Sequence, residues 1–492
     1  MLVDLPIIFY MRTNGILMAI SSLPGDFGIG DFGESAYKFA DYLKKANIKI
    51  WQILPLNPTG YGNSPYQSSC GHAIDSIYID LYELAKEGLI ETPKPFNKTK
   101  KLIDYPAVRE HKEKYLREAF KNSKSFLEKQ TFKKWIKDNP WVVDYAQFTV
   151  ISLKNNYLDW WFWDKKERYA HYKHEFDFTP FNEEILYIEW CQYVAFKQFR
   201  KLKEYINKCG IELMGDIPFY VGGNSSDCWS NQDEFKLDEN DVPELVAGVP
   251  PDYFSATGQR WGNPIYDWEY MKEDGFTFWM ERIEFAATLF DIIRIDHFRA
   301  FDTYWAVDAE CDTAIVGEWK HAYGDELFAK LFEKHPDIKI IAEDLGDLFP
   351  SVLELRDKYH LKGMNVLEFT IFNPEFEVKE NQIIYSGTHD NDTLRGWYKN
   401  LKENELELLK IILRRDKVKG RSIKDKLFNL IFGSICDTAI IPIQDYLWKD
   451  NDTRMNVPGI LGGTNWAYKL ADFTEFIEVI PYIKELNKKY NR

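Results

Sequence analysis

The sequence predicts an α/β protein: one closed (β/α)8 barrel of parallel strands, a TIM barrel, with helical and loop insertions between its strands. Three observations carry that expectation. Eight short apolar runs recur along the chain, helical patterns separate most of them, and 492 residues leave room for eight such units. Strands alternating with helices favour a parallel sheet, and eight units favour closure over an open doubly wound sheet.

The first run, from Gly15 to Ser21, is followed after a Gly-rich turn by an amphipathic stretch from Gly33 to Ala46. The second runs from Ile48 to Pro55. Residues 60–205, rich in Lys and aromatics with helical periodicity and no clean strand, are expected to form a mainly helical insertion after it. The third run, Ile211 to Asp216, leads into a loop-rich insertion over 219–275 and then a helical pattern reaching Phe290. Five more runs follow: Ile292–Asp296, Ile338–Glu343, Met364–Phe369, Ile383–Gly387 and Ala439–Gln444. Residues 1–492 are therefore read as a single barrel carrying insertions.

Composition narrows the function. The net charge of −15 argues against nucleic acid, whose binders show a basic footprint, and suits a neutral substrate. The six cysteines are scattered, with no C-x-x-C pair and no His spacing typical of zinc, so reduced thiols in a reducing compartment and no metal are expected. The opening MLVDLPIIFYMRTNG lacks an early positive cluster and a long apolar run, so no signal peptide is expected. No apolar stretch approaches the roughly 20 residues of a spanning helix, and a cytoplasmic protein with no membrane partner is expected. Aromatic residues make up 16% of the chain, which fits either a large core or stacking platforms for flat-faced ligands.

The informative pattern lies at the ends of the runs. Five finish in a carboxylate: Asp216, Asp296, Glu343, Asp390 and Asp445. A charge closing a buried strand is costly unless something uses or pairs it, and in a barrel these ends form the catalytic face. Any one of them is as readily a helix cap or ion pair; five together point to an active face. Arg294 and Asp296 lie two apart on a strand and share a face, which is expected to hold the Asp296 carboxyl ionised and its pKa low. His297 and His389 each adjoin one of these acids and could donate to substrate hydroxyls. One protonated and one ionised carboxyl flanking a bond are what glycoside cleavage requires. A metal-dependent hydrolase would need clustered His ligands, and the first run has none. Gly28-Ile-Gly-Asp-Phe-Gly33 matches the dinucleotide fingerprint, but the second strand closes in LPLNP rather than in the acid that would hold a ribose. A tight turn, or a close approach of backbone to a substrate, is the better reading, and no cofactor is expected.

The blocks SSLPGDFGIGDFG, WQILPLNPTGYGNSPYQ, MGDIPFYV, PPDYFSATGQRWGNPIYDW, RIDHFRAF, AEDLG, GTHDNDT and RMNVPG, in this order and over nearly the whole chain, resemble the amylomaltases, or 4-α-glucanotransferases, including the plant disproportionating enzymes. The resemblance implies a barrel related to the α-amylase group but without a separate C-terminal β-domain. It implies Asp296 as nucleophile, Glu343 as general acid/base and Asp390 as the carboxylate that holds and distorts the sugar. Arg294 matches a nucleophile-supporting arginine, and His297 and His389 match hydroxyl-binding histidines. Tyr61, Asp216, Trp261 and Asn263 match positions lining the substrate cleft, with Trp261 in a loop arching over the glucan. Glu368 departs from the family's usual Gln, and NWAYKL from a more aromatic and basic run. The activity implied is transfer of an α-1,4-glucan segment to the 4-hydroxyl of glucose or another glucan, with maltooligosaccharides as donor and acceptor. The same carboxylates would serve a hydrolase; the resemblance alone favours transfer. A retaining mechanism requires the Asp296 and Glu343 carboxyls roughly 5–5.5 Å apart, with Glu343 raised in pKa.

Overall fold

The computed structural model describes residues 12–251, 255–346 and 348–492, with Tyr61 described in its backbone alone. The N-terminal run at residues 1–11, on which the expectation about a leader rests, lies outside the described residues. Twelve strands are present among the described residues: β1 (Thr13–Leu17), β2 (Ile50–Gln52), β3 (Glu212–Ile217), β4 (Leu245–Val249), β5 (Gln259–Pro264), β6 (Ile292–Ile295), β7 (Thr303–Asp308), β8 (Glu318–His321), β9 (Ile340–Ala342), β10 (Gly363–Val366), β11 (Gln382–Tyr385) and β12 (Thr438–Pro442).

Eight of them make one parallel sheet in the order β10-β11-β12-β1-β2-β3-β6-β9. The two outer members meet through a parallel bridge between Ile341 and Lys362, with Ala342 N–H donating to Lys362 C=O at 2.8 Å, so the sheet curls into a nearly closed barrel. Each of the eight apolar runs contributes one barrel strand. These strands are buried throughout or nearly so, which explains their continuous rather than alternating hydrophobicity. Close packing outside the barrel decides Gly215 on β3: a Cβ there would stand 2.2 Å from the Phe290 ring, which seals the barrel wall after the helix Thr277–Leu289.

The apolar runs overstate the strands. Met364–Phe369 is strand only to Val366; Leu367–Thr370 turns helical, with Thr370 Oγ1 donating to Asn365 Oδ1 at 2.6 Å. Between β2 and β3 lie helices and turns, ending in the 27-residue helix Asn182–Lys208, which buries Trp190, Phe196 and Phe199. The stretch 219–275, read as loop-rich, also holds regular structure. That stretch carries β4 and β5, which join β7 and β8 in a separate antiparallel sheet of order β5-β4-β7-β8. The second half of this sheet comes from a further excursion after β6, absent from the sequence reading. After β12 the chain continues through short helices to the helix Thr474–Tyr490, which packs on Glu34–Ala46.

Many aromatics serve the core: Trp51, Trp160, Trp190, Trp229, Trp268 and Trp279 are fully buried. The glycines at 28–33 permit close chain approach. A Cβ on Gly30 would lie 2.0 Å from Ile20 C=O, and one on Gly33 2.9 Å from the Asp31 and Asp80 carboxylates. Those two acids crowd the N-terminus of the helix Glu34–Ala46, where a dinucleotide phosphate would have to sit. No helix among the described residues is long and apolar enough to cross a membrane.

Candidate active site

The strand-end carboxylates gather on one face of the barrel, and their environments divide them. Asp296 and Glu343 each follow directly on a strand, β6 and β9, which are neighbours in register at Ile295 and Ala342. Glu343 N–H donates to Ile295 C=O at 3.1 Å, so the two acids are held side by side by the barrel ladder itself. Strand alternation sends the next residue, Asp344, the other way. Asp344 is buried, accepts from Met364 N–H at 2.7 Å and pairs with Arg356.

Arg294, 4% exposed, lies between two acids. Its Nη1 donates to Asp216 Oδ1 and Oδ2 at 2.7 and 2.6 Å, and its Nη2 lies 3.0 Å from Asp296 Oδ1. Asp216 is fully enclosed and accepts a further bond from Tyr66 Oη at 2.7 Å. The chain Tyr66–Asp216–Arg294–Asp296 thus fixes the guanidinium that faces Asp296. Breaking a buried pair leaves an uncompensated charge. Asp216→Ala is therefore expected to lower stability by about 3 kcal/mol, measured by denaturant unfolding.

Burial and the Asp296 charge push the Glu343 carboxyl well above its ordinary value, although its Oε2 accepts from His297 N–H at 2.7 Å. The expectation of a depressed Asp296 is not met: burial pushes it up to about 6 against the pull of Arg294. Burial outweighs the arginine, and the charge of Asp216 on the other side of the same guanidinium adds to the rise. Asp296 keeps 31% of its side chain open to solvent, which tempers the penalty, and it remains the more acidic of the two.

Asp390 lies across the cleft on the turn after β11, 43% exposed. Its Oδ1 accepts from Asn456 Nδ2 at 2.7 Å, its C=O accepts from Arg454, and His389 Nε2 lies 3.4 Å from its Oδ2. His389 is buried and stacks on Tyr66 with ring centroids 5.2 Å apart. The fifth acid, Asp445, is buried, accepts from Ser386 Oγ and Leu394 N–H at 2.6 and 2.7 Å, and serves as a brace.

His297 adopts φ 50°, and burial pushes its imidazole down to about 3, so it is neutral and offers one donor and one acceptor. Trp261 on β5 meets it edge-on with centroids 4.8 Å apart, which brings the antiparallel sheet over the barrel mouth. Asn263 is buried, donating to Val221 C=O at 2.8 Å and accepting from Gln67 Nε2 at 3.3 Å; its polar atoms brace the loops. The Tyr61 side chain lies outside the described residues. Burial, then the nearby Asp445 and Asp392, push the Glu368 carboxyl well up. Its proton is therefore held more tightly than in a free carboxyl, and the protonated form can donate a hydrogen bond as an amide does.

Sequence reasoning missed Tyr66, Arg454 and Asn456, although all stand in the blocks that carry the resemblance. The pattern of run-closing acids has no counterpart for residues reaching in from turns.

A carboxyl whose proton burial holds, beside a more acidic one paired to an arginine and facing a cleft bordered by histidines and aromatics, can cleave a glycosidic bond. Comparison with known proteins agrees. The family model described as 4-alpha-glucanotransferase matches residues 18–474. A 4-alpha-glucanotransferase of Streptococcus pneumoniae is 39% identical over 477 residues, 94% of each chain. One of Aquifex aeolicus is 39% identical over 493 residues, covering 98% of this chain and 100% of the relative. The structure of an amylomaltase from Streptococcus agalactiae in complex with acarbose superposes with a TM-score of 0.89 at 35% identity, covering 98% of this chain and 99% of the other.

Proposed function

The chain belongs to the 4-alpha-glucanotransferase family, and on that footing we propose that it moves segments of α-1,4-glucans to sugar hydroxyls by double displacement through Asp296. The observation that carries this reading is the adjacency of Asp296 and Glu343 at the ends of paired strands, the first salt-bridged to Arg294 and the second raised in pKa by burial.

A maltooligosaccharide donor lies across the barrel mouth with its scissile bond between the two carboxyls. Glu343 gives its proton to the departing glucan oxygen while Asp296 attacks the anomeric carbon, forming a β-glycosyl ester. Glu343, now a carboxylate, takes the proton of an incoming 4-hydroxyl, and the sugar returns to α linkage as the ester breaks. The carboxyls are expected roughly 5–5.5 Å apart, leaving no room for the water of an inverting reaction. Asp390, steadied by Asn456 and flanked by His389, holds and distorts the sugar at the cleavage point. His297 and Trp261 border the same cleft and exclude water while the ester waits for an acceptor. A cytoplasmic setting suits six cysteines that are all unpaired.

Incubation with maltotriose tests the reading. Transfer yields glucose and longer maltooligosaccharides at a nearly constant reducing-end count. A reducing-end count that climbs with turnover would make the enzyme a hydrolase.

A further inference from the structure

Away from the cleft, the fold gathers a second constellation. Cys70 and His72 lie on the loop after β2, and Asp227 lies on the short helix Ser226–Ser230 after β3. One ligand atom from each, a sulfur, an imidazole nitrogen and a carboxylate oxygen, lie within 4.8 Å of one another. Asp227 Oδ2 accepts from Gly71 N–H at 2.7 Å, while Oδ1 lies 3.6 Å from His72 Nδ1, beyond hydrogen-bond reach. The Asp227 side chain is 4% exposed, and among the described residues its one ion-pair contact is this histidine. A carboxylate so enclosed is costly without a cation beside it.

We propose that Cys70, His72 and Asp227 form a zinc site that pins the loop carrying Tyr66 to the segment after β3. The donor set selects the metal: thiolate, imidazole and carboxylate together suit Zn2+ rather than Mg2+ or Ca2+, which take oxygen. Bonds of about 2.3 Å to sulfur and 2.0–2.2 Å to nitrogen and oxygen require the donors to close by about 1 Å, within reach of side-chain rotation. On binding, the Cys70 thiol releases its proton to solvent. Thiolate and carboxylate then balance the two charges of the ion, so the loaded site is neutral in a buried setting. A cavity of about 50 Å³ lies on the His72 side of the group, bordered by Gly71 and His72 but not by Cys70 or Asp227. Arg282 also borders it, but its guanidinium is committed to Phe219 C=O, Pro218 C=O and Tyr266 Oη. Cys70 is 1% exposed, which suits a ligand and not a nucleophile.

The site would reinforce a junction the backbone already makes, where Ser226 N–H donates to Ser69 C=O at 2.9 Å. Tyr66, three residues before Ser69 on this loop, holds Asp216. The ion would thus steady one wall of the cleft without touching substrate. Spacing in sequence gives no hint of it, because Asp227 is remote from the other two.

The test uses the full chain, stripped with a chelator and titrated with zinc chloride by calorimetry, then with cobalt chloride by absorbance. The expected result is one ion per chain, a higher Tm and a near-ultraviolet thiolate-to-cobalt band. Cys70→Ser should abolish that band, and His72→Gln and Asp227→Asn should each weaken binding at least about tenfold. His72→Gln changes a partly exposed residue, so it keeps the test open if either buried variant fails to fold. Absence of stoichiometric binding by the native chain would overturn the proposal. So would binding of undiminished affinity in His72→Gln, which would place the ion on other thiols such as Cys209 or Cys311.

Discussion

Asp296→Asn is expected to lower maltotriose turnover by at least about 10⁴-fold, roughly 5.5 kcal/mol of lost transition-state stabilisation, while glucan binding changes little. The asparagine keeps the shape of the side chain and can still accept from Arg294, whose second partner Asp216 is untouched. The fold therefore stands. An amide oxygen is a poor nucleophile, so the covalent half of the reaction has no substitute route, and the loss falls on kcat rather than on ground-state affinity. Steady-state kinetics with maltotriose, alongside calorimetric binding of a maltooligosaccharide, separate the two. Turnover within tenfold of the native enzyme would remove Asp296 from the chemistry.

Glu343→Gln is expected to cost about 10²–10⁴-fold in turnover, with a signature in pH. In the native enzyme kcat/KM should rise as Asp296 ionises, near its value of about 6, and fall as Glu343 loses its proton at higher pH. These limbs belong to the pair, since each charge acts on the other. The Gln variant should lose the alkaline limb. Stability should move the opposite way to activity. The folded-state pKa of Glu343 lies above its unfolded value, so its contribution is fully present below the unfolded pKa and is lost as pH rises through the folded one. Glutamine does not titrate and still accepts from His297 N–H. The variant should therefore unfold at a higher temperature at neutral pH, by an amount on the order of 1 kcal/mol.

The barrel was legible because its strands are buried on both faces and read as short apolar runs; all eight are found where such runs occur. Their ends were less legible. Met364–Phe369 stays apolar past the point where the backbone turns helical at Leu367, since hydrophobicity reports burial and not dihedral angles. The antiparallel sheet left little trace: β5 and β8 are partly open to solvent and lack a period-two pattern. Among the acids, the run-end pattern picked out side chains that the fold brings to one end of the barrel, but not how their environments differ. Asp216 and Asp445 close their runs just as Asp296 does, yet they are enclosed by partners from elsewhere in the chain, Arg294 and Tyr66 in one case and Ser386 in the other. Asp296 shows the same limit: its local Arg-x-Asp pattern pointed to a depressed pKa, but its burial, and after it the nearby Asp216 charge, are visible only in three dimensions.

The covalent ester on Asp296 is the center of the account, and it can be caught directly. Glu343→Gln cannot assist a sugar leaving group, but a maltosyl fluoride of α configuration needs no acid to depart. With that donor and no acceptor, the ester should accumulate, because the base that would activate an acceptor is also gone. Mass spectrometry of the digested protein should then find one maltosyl increment on the peptide containing Asp296. An increment on a different carboxylate, or steady turnover of the fluoride with no adduct at any residue, would contradict double displacement through Asp296.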